Sequence, residues 1–308
     1  VVSSKPDWLK IRPPSGESYI NIKMLKSGLE LHTVCEEAHC PNIYECWGGG
    51  TATFMLMGDV CTRHCRFCAV SSGKPNGYLD SFEPLNVAYA IRQMGLKYVV
   101  VTSVDRDDLP DGGSSHFAIC VNQIKKLNPG TRVEVLIPDF QGDTEAVQKI
   151  IDSKPDVIAH NIETVRRLSP VIRDPRANFD QSLKVLGYIK RSNPTIYSKS
   201  SIMLGLGETK EEVVSTMKEL LKVGVDFLTI GQYLQPSEGH AQVREYVHPK
   251  IFDEYRRIGE ELGFKYVASG PLVRSSYRAG EYFIAKILAE GGGRCTQNET
   301  IRPTTRLD

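Results

Sequence analysis

From Thr51 onward, short runs rich in β-branched and aromatic residues alternate with stretches whose apolar positions recur every three or four residues. The first pattern predicts strands buried on both faces, and the second predicts amphipathic helices. Six strands are expected, at 53–57, 98–104, 132–138, 157–161, 196–203 and 227–231, with a shorter one at 266–268 and a helix at 280–288. The clearest helix begins at Thr209, where Glu212 completes a capping box. It buries Val213, Met217, Leu220 and Leu221, and Gly224 is placed to end it.

This alternation is the sequence form of repeated β-α units with right-handed crossovers around a parallel sheet, an α/β class. It suits an open doubly wound sheet and a partial barrel alike. In both, the loops at the carboxyl ends of the strands converge on one crevice. That rule singles out Thr102, Ser103, Asp105, Asn161, Glu163, Ser201 and Gln232 as candidate site residues. The stretch 1–16, with three prolines, and the polar stretch 291–308 read as tails.

The 308 residues allow one large domain or two ordinary ones with a full core. With 38 basic and 37 acidic side chains the net charge is +1, which removes any global electrostatic case for nucleic acid or a membrane surface. No apolar run approaches the roughly 18 residues of a spanning helix, and the first ten residues are too polar for a secretory signal. A cytoplasmic location is expected. Organellar targeting stays open, because the chain begins at Val1 without an initiator methionine.

Six of the eight cysteines fall in two triplets between Cys35 and Cys68, a clustering that suits metal ligation rather than a disulfide framework. Cys120 reads as a small buried hydrophobe on a helix, and Cys295 as inert. The second triplet, Cys61, Cys65 and Cys68, has CxxxCxxC spacing just after the first strand. Three thiolates on one short loop hold three irons of a 4Fe-4S cluster and leave the fourth open for chemistry. A zinc site completed by His64 is the alternative. The first triplet, Cys35, Cys40 and Cys46, has CxxxxCxxxxxC spacing. It suits a second cluster, or a closed zinc site completed by His39 or His32.

The Cys61 to Cys68 spacing, with Phe67 before the last cysteine, closely resembles the signature of the radical S-adenosylmethionine superfamily. That resemblance implies a partial (β/α)6 TIM-type barrel, with S-adenosylmethionine chelated at the open iron and cleaved to a 5′-deoxyadenosyl radical. The first triplet, the Gly-Gly-Gly-Thr-Ala-Thr run at 48–53 and the runs at 101–108, 173–182, 203–208 and 270–277 narrow this further. Together they resemble the lipoyl synthase family from about residue 31 to 282.

This narrower resemblance implies insertion of two sulfur atoms at carbons 6 and 8 of an octanoyl chain borne on a carrier-protein lysine. It implies two 4Fe-4S clusters, the auxiliary one held by Cys35, Cys40, Cys46 and Ser276 and consumed as sulfur donor. Ser275 is the alternative serine. Thr102, Ser103 and Asp105 become candidates for the methionine amino and carboxylate groups, and Asn161 and Glu163 for the ribose or sulfonium region. The run from Gly205 to Glu208 is a candidate for backbone approach to the cofactor. Arg166, Arg167, Arg173 and Arg176 form a basic run that would suit an acidic carrier or a solvated face.

The implied organisation is an N-terminal extension (1–50) with the auxiliary motif, the barrel (51–235), a C-terminal extension (236–290) and the tail (291–308). Implied partners are octanoylated carriers, either a 2-oxoacid dehydrogenase E2 domain or the glycine-cleavage H protein, and an electron donor such as ferredoxin or flavodoxin. A monomer is expected. Biotin synthase, a methylthiotransferase and a non-catalytic iron-sulfur carrier are competing readings. The placement of the first triplet and the Arg-Ser-Ser-Tyr run at 274–277 weigh against the first two, and the open-iron triplet and long barrel-like scaffold weigh against the third.

Overall fold

A computed structural model describes residues 5–10, 17–38, 40–48 and 53–276. The helix expected at 280–288, the tail, Cys295 and His39 lie outside the described residues. Among those described, ten strands form: β1 (His32–Thr33), β2 (Thr53–Leu56), β3 (Val60–Cys61), β4 (Ser71–Ser72), β5 (Tyr98–Ser103), β6 (Arg132–Leu136), β7 (Val157–Ala159), β8 (Tyr197–Leu204), β9 (Phe227–Gln232) and β10 (Tyr266–Gly270). Eight make one sheet in the order β1-β2-β5-β6-β7-β8-β9-β10. Every pairing from β2 to β10 is parallel, and β1 runs antiparallel to β2.

Helices Glu83–Gln93, Ser114–Leu127, Thr144–Asp152, Phe179–Ser192, Lys210–Lys222 and Pro249–Leu262 follow β2, β5, β6, β7, β8 and β9 on the outside of the sheet. Their starts are written locally. Asp143 accepts from Glu145 N, Asn178 from Gln181 N, and Thr209 with Glu212 forms the expected capping box. The apolar side chains of these helices and the outward residues of the strands build two large buried cores.

The inward face decides between open sheet and barrel. Three strands separate β5 from β9, so a flat sheet would hold them about 19 Å apart. Yet Tyr98 and Val100 of β5, Val157 of β7 and Phe227 of β9 share one buried cluster, flanked by Tyr197 and Tyr266. Beside it Lys199 Nζ of β8 reaches Glu134 Oε1 of β6 at 2.7 Å, with both side chains at most 2% exposed. The sheet is therefore curled into a partial barrel. An ion pair buried this deeply is costly to break on one side only, by about 3–5 kcal/mol.

The barrel stays open between β1 and β10, and the flanking segments bridge that seam. Asn42 Nδ2 donates to Leu272 O at 2.7 Å. A Cβ on Gly231 of β9 would lie 2.0 Å from Val273 O, so glycine is what lets the segment after β10 fold over the rim.

Candidate active site

A cavity of 550 Å³ opens at the carboxyl ends of the strands. Cys61, Cys65 and Cys68 line it, and so do Cys35, Cys40, Ser275 and Ser276. The strand-end candidates Thr102, Ser103, Asp105, Asn161, Glu163, Ser201 and Gln232 also lie on its wall. Cys46 does not; it is buried behind the wall with Cys35 and Trp47. Five of the six triplet cysteines and a segment more than 200 residues away thus meet at one chamber.

The loop from Cys61 to Cys68 is pinned along its backbone. Cys61 O accepts from Gly73 N at 2.8 Å, and Thr62 N donates to Asp105 O at 2.9 Å. Arg63 O accepts from Ser72 Oγ, and His64 N donates to Asp174 Oδ2 at 2.8 Å. Arg66 N donates to Ile172 O and Arg66 O accepts from Ala241 N. His240 Nε2 donates to Cys68 O at 2.9 Å. Two sulfurs accept backbone N–H groups, Cys61 Sγ from Arg63 and Cys65 Sγ from Asp174, both at 3.4 Å.

Burial pushes the thiols of Cys61 and Cys65 up to about 12 and those of Cys68 and Cys35 up to about 11. The Cys40 thiol is raised by burial as well, with the Arg274 guanidinium opposing that rise. Without metal these cysteines are neutral. Ligation releases their protons, so cluster assembly is favoured as pH rises.

Among the described residues, the sulfurs of neither triplet lie within 4.8 Å of one another as a set of three. His32 is grouped with Glu37 and Asp59 instead. Three buried polar atoms on the cavity wall have no hydrogen-bond partner among the described residues: Ser103 Oγ, Asn161 Oδ1 and Asp139 Oδ2. The indole N–H of Trp47 faces the Cys35 thiol, in the buried cluster that also holds Cys46. The three orphans require an explanation, and a polar cofactor together with an anionic cluster supplies it.

Several residues gain roles that strand-end position did not convey. Arg63, 3% exposed, meets Asp107 in a two-pronged pair at 2.9 and 3.0 Å, Asp139 at 2.7 Å and Asp105 at 3.2 Å. Burial alone would lower its guanidinium, but the bonds to Asp107 and Asp139 win and raise it. Asp105 lies 4.0 Å from Cys61 Sγ. Burial pushes its carboxyl up to about 7, against the pull of Arg63. Glu163 is also raised by burial, opposed by Arg173, and sits at a positive φ of 68°.

Near Asp139, Arg173 Nη1 donates to Ser182 Oγ at 2.9 Å. Ser182 Oγ in turn donates to His160 Nε2, because His160 Nδ1 donates to Ile137 O. This relay fixes one neutral tautomer. Burial lowers His160 to about 4.

Other candidates are spent on architecture. Thr102 Oγ1 donates to Leu136 O, and Gln232 bonds to Tyr233 O, Glu245 O and Val247 N. The Gly205 to Glu208 run forms a turn against the 245 loop. A Cβ on Gly205 would meet Glu245 O at 2.4 Å, and the Glu208 carboxylate accepts from Gly205 N and Leu206 N. The basic run divides. Arg166 pairs with Asp180 and Glu219, and Arg167 with Glu212, on the outer surface. Arg173 and Arg176 serve the site, Arg176 through Asp174, Asp107 and Thr62 O. Cys120 is fully buried in the core.

A partial barrel with three thiols, a cofactor-sized chamber and strand-end acids defines the radical S-adenosylmethionine class, and the Radical SAM superfamily matches residues 55–220. Among solved structures, methylornithine synthase superposes with a TM-score of 0.53 at 16% identity, covering 79% of this chain and 70% of its own. The FeFe-hydrogenase maturase of Carboxydothermus hydrogenoformans gives 0.52 at 14%, covering 89% and 70%. These likenesses concern the fold.

Residues 3–40 match the N-terminal domain of lipoyl synthase, and curated relatives extend that match along the chain. Lipoyl synthase of Myxococcus xanthus is 55% identical over 92% of this chain and 95% of its own. Human mitochondrial lipoyl synthase is 55% identical over 92% and 78%. The chain belongs to the lipoyl synthase family. Among the described residues no helix is long and apolar enough to cross a membrane.

Proposed function

We propose that this chain carries out lipoyl synthesis, inserting sulfur at carbons 6 and 8 of an octanoyl chain bound to a carrier-protein lysine. The observation that carries the reading is the meeting of Cys61, Cys65 and Cys68 with Cys35, Cys40 and the Arg274 to Ser276 segment at one cavity, in a chain of this family. When bound, the cluster groups supply an electron to split S-adenosylmethionine and the sulfur for the product. Cys61, Cys65 and Cys68 hold the first cluster. Cys35, Cys40, Cys46 and Ser276 hold the auxiliary one, and Arg274 beside Cys40 offsets its negative charge.

The chain's own groups orient the cofactor. Among the described residues Arg173 hydrogen-bonds through Nη1, to Asn178 O and Ser182 Oγ, and its other donors suit the methionine carboxylate. Ser103, Asp105 and Asp139 offer acceptors to the amino group, with Thr102 supporting them from the β5 ladder. Asn161 and Glu163 serve the ribose region. The barrel at 51–235 provides the radical half, while the extensions at 1–50 and 236–290 provide the donor half. The tail at 291–308 is assigned no role.

The carrier is an E2 lipoyl domain or an H protein, the reductant a ferredoxin or flavodoxin, and the enzyme works as a monomer. Anaerobic reconstitution followed by one turnover on an octanoylated carrier domain tests the reading. Deoxyadenosine, methionine and a lipoylated carrier are expected. Deoxyadenosine without lipoyl product would assign the chamber to another radical reaction.

A further inference from the structure

Within the Cys61 to Cys68 loop, Arg63 is the side chain whose place nothing in the cysteine chemistry explains. Its backbone lies between two thiols, yet its guanidinium turns inward and is almost wholly buried. There it binds the carboxylates of three aspartates from two different strand ends: Asp105 and Asp107 after β5, and Asp139 after β6. Leaving such a charge in a protein interior is tolerated only where several partners hold it in one geometry. A planar guanidinium meets them with a rigid fork, including two parallel bonds to Asp107, and a compact ammonium does not reproduce that fork.

The network continues back to the loop. Thr62 Oγ1 donates to Asp105 O and accepts from Asp107 N, so the aspartate segment and the loop are bonded on both sides of Arg63. Asp107 also meets Arg176 Nη1 at 3.2 Å, and Arg176 Nη2 donates to Thr62 O. Asp139 carries the orphaned Oδ2 on the cavity wall, and Asp105 approaches Cys61 Sγ. One cation therefore links the position of Cys61 to the wall where the cofactor's polar groups would sit.

We propose that Arg63 is a positioning residue for S-adenosylmethionine cleavage: it sets the Cys61 to Cys65 arc at a fixed place relative to Asp105 and Asp139. The inference rests on the proposed radical chemistry. It does not concern the auxiliary motif: among the described residues none of Cys35, Cys40, Cys46 and Ser276 is bonded to Arg63.

The test uses the full-length, reconstituted chain with Arg63→Lys, which keeps the charge and loses the fork, and with Asp139→Asn, which keeps an acceptor. Iron content, the electron paramagnetic resonance signal of the reduced protein with and without S-adenosylmethionine, and deoxyadenosine formation are read together. In Arg63→Lys, wild-type iron content, a spectrum that responds differently to the cofactor and about hundredfold slower cleavage are expected, the scale of a misplacement near 1 Å. Asp139→Asn is expected to show the same spectral change with a smaller loss of rate.

Wild-type spectra and rates in both variants would overturn the inference and leave the proposed function intact. Loss of iron from both clusters, or failure of both variants to fold, would overturn it by making Arg63 a structural pillar. If the wild-type protein does not cleave the cofactor, the proposed function fails, and the inference with it.

Discussion

The two cysteine regions are built in opposite ways. The loop from Cys61 to Cys68 is bonded at successive residues to segments far along the chain, from Asp105 to Ile172, Asp174, Ala241 and His240. The motif from Cys35 to Cys46 instead closes mostly on itself: Cys40 N donates to Cys35 O, Ile43 N to Cys40 O and Cys46 N to Asn42 O. Among the described residues its ties to distant segments run through the bond from Asn42 to Leu272 O, the Arg274 guanidinium beside Cys40 and the packing around Trp47. A site used repeatedly without change gains from many cross-links, because each holds geometry at the reacting atom. A site that is dismantled and rebuilt gains from local structure that can open without unfolding the barrel.

Removing one thiol from each region is the sharpest way to break this comparison. Cys61→Ala is expected to abolish both deoxyadenosine formation and sulfur insertion, whereas Cys35→Ala retains cofactor cleavage and yields no lipoyl product. Lipoyl product from Cys35→Ala in a single-turnover assay would refute the donor assignment. The seam offers a milder cut. Asn42→Ala leaves Leu272 O without its donor, costs about 1–3 kcal/mol locally, and should lower auxiliary-cluster iron while sparing the radical cluster. Equal iron loss from both clusters, measured after gel filtration, would contradict it.

Backbone exchange probes the same contrast without mutation. In iron-free protein the amides of 61–68 should exchange at least roughly tenfold more slowly than those of 35–46, followed by mass spectrometry. Similar rates would remove the distinction.

The smallest effect concerns the wall of the radical half. An unfolded histidine titrates near 6.5, and folded His160 near 4. Between those values the unfolded chain takes up a proton that the folded chain refuses. The stability contributed by His160 is therefore complete above about pH 6.5 and is lost as pH falls toward 4, by at most about 1.4 kcal/mol per pH unit. Urea unfolding of His160→Gln from pH 7 to 4.5 should show a shallower decline than wild type. Parallel slopes would mean that other groups carry the acid sensitivity.

Much of the fold was open to reading along the chain. All six expected strands and the short seventh are present, displaced by a residue or two at their ends. The helix at 210–222 has the cap that Thr209 and Glu212 announced. The brief strands β1, β3 and β4 were not legible, because two residues carry no period. Of the candidate site, the strand-end rule found the cavity wall. It missed Asp139, one residue past an expected strand, and His160, within one. It also could not tell Ser103, with an orphaned hydroxyl, from Thr102, whose hydroxyl is spent on the β5–β6 ladder.

The line between the two sources of information follows sequence distance. Cysteine spacing, caps and strand periodicity are properties of neighbours, fixed by bond lengths and backbone dihedrals, and together with the family resemblance they sufficed to name the class of chemistry. Curl, charge pairing and closure of the seam join residues 44, 109 and 230 positions apart, as in Arg63 with Asp107, Cys65 with Asp174 and Asn42 with Leu272. No local preference encodes such pairs. They exist because a twisted parallel sheet closes partway on itself and brings the ends of its strands to one mouth.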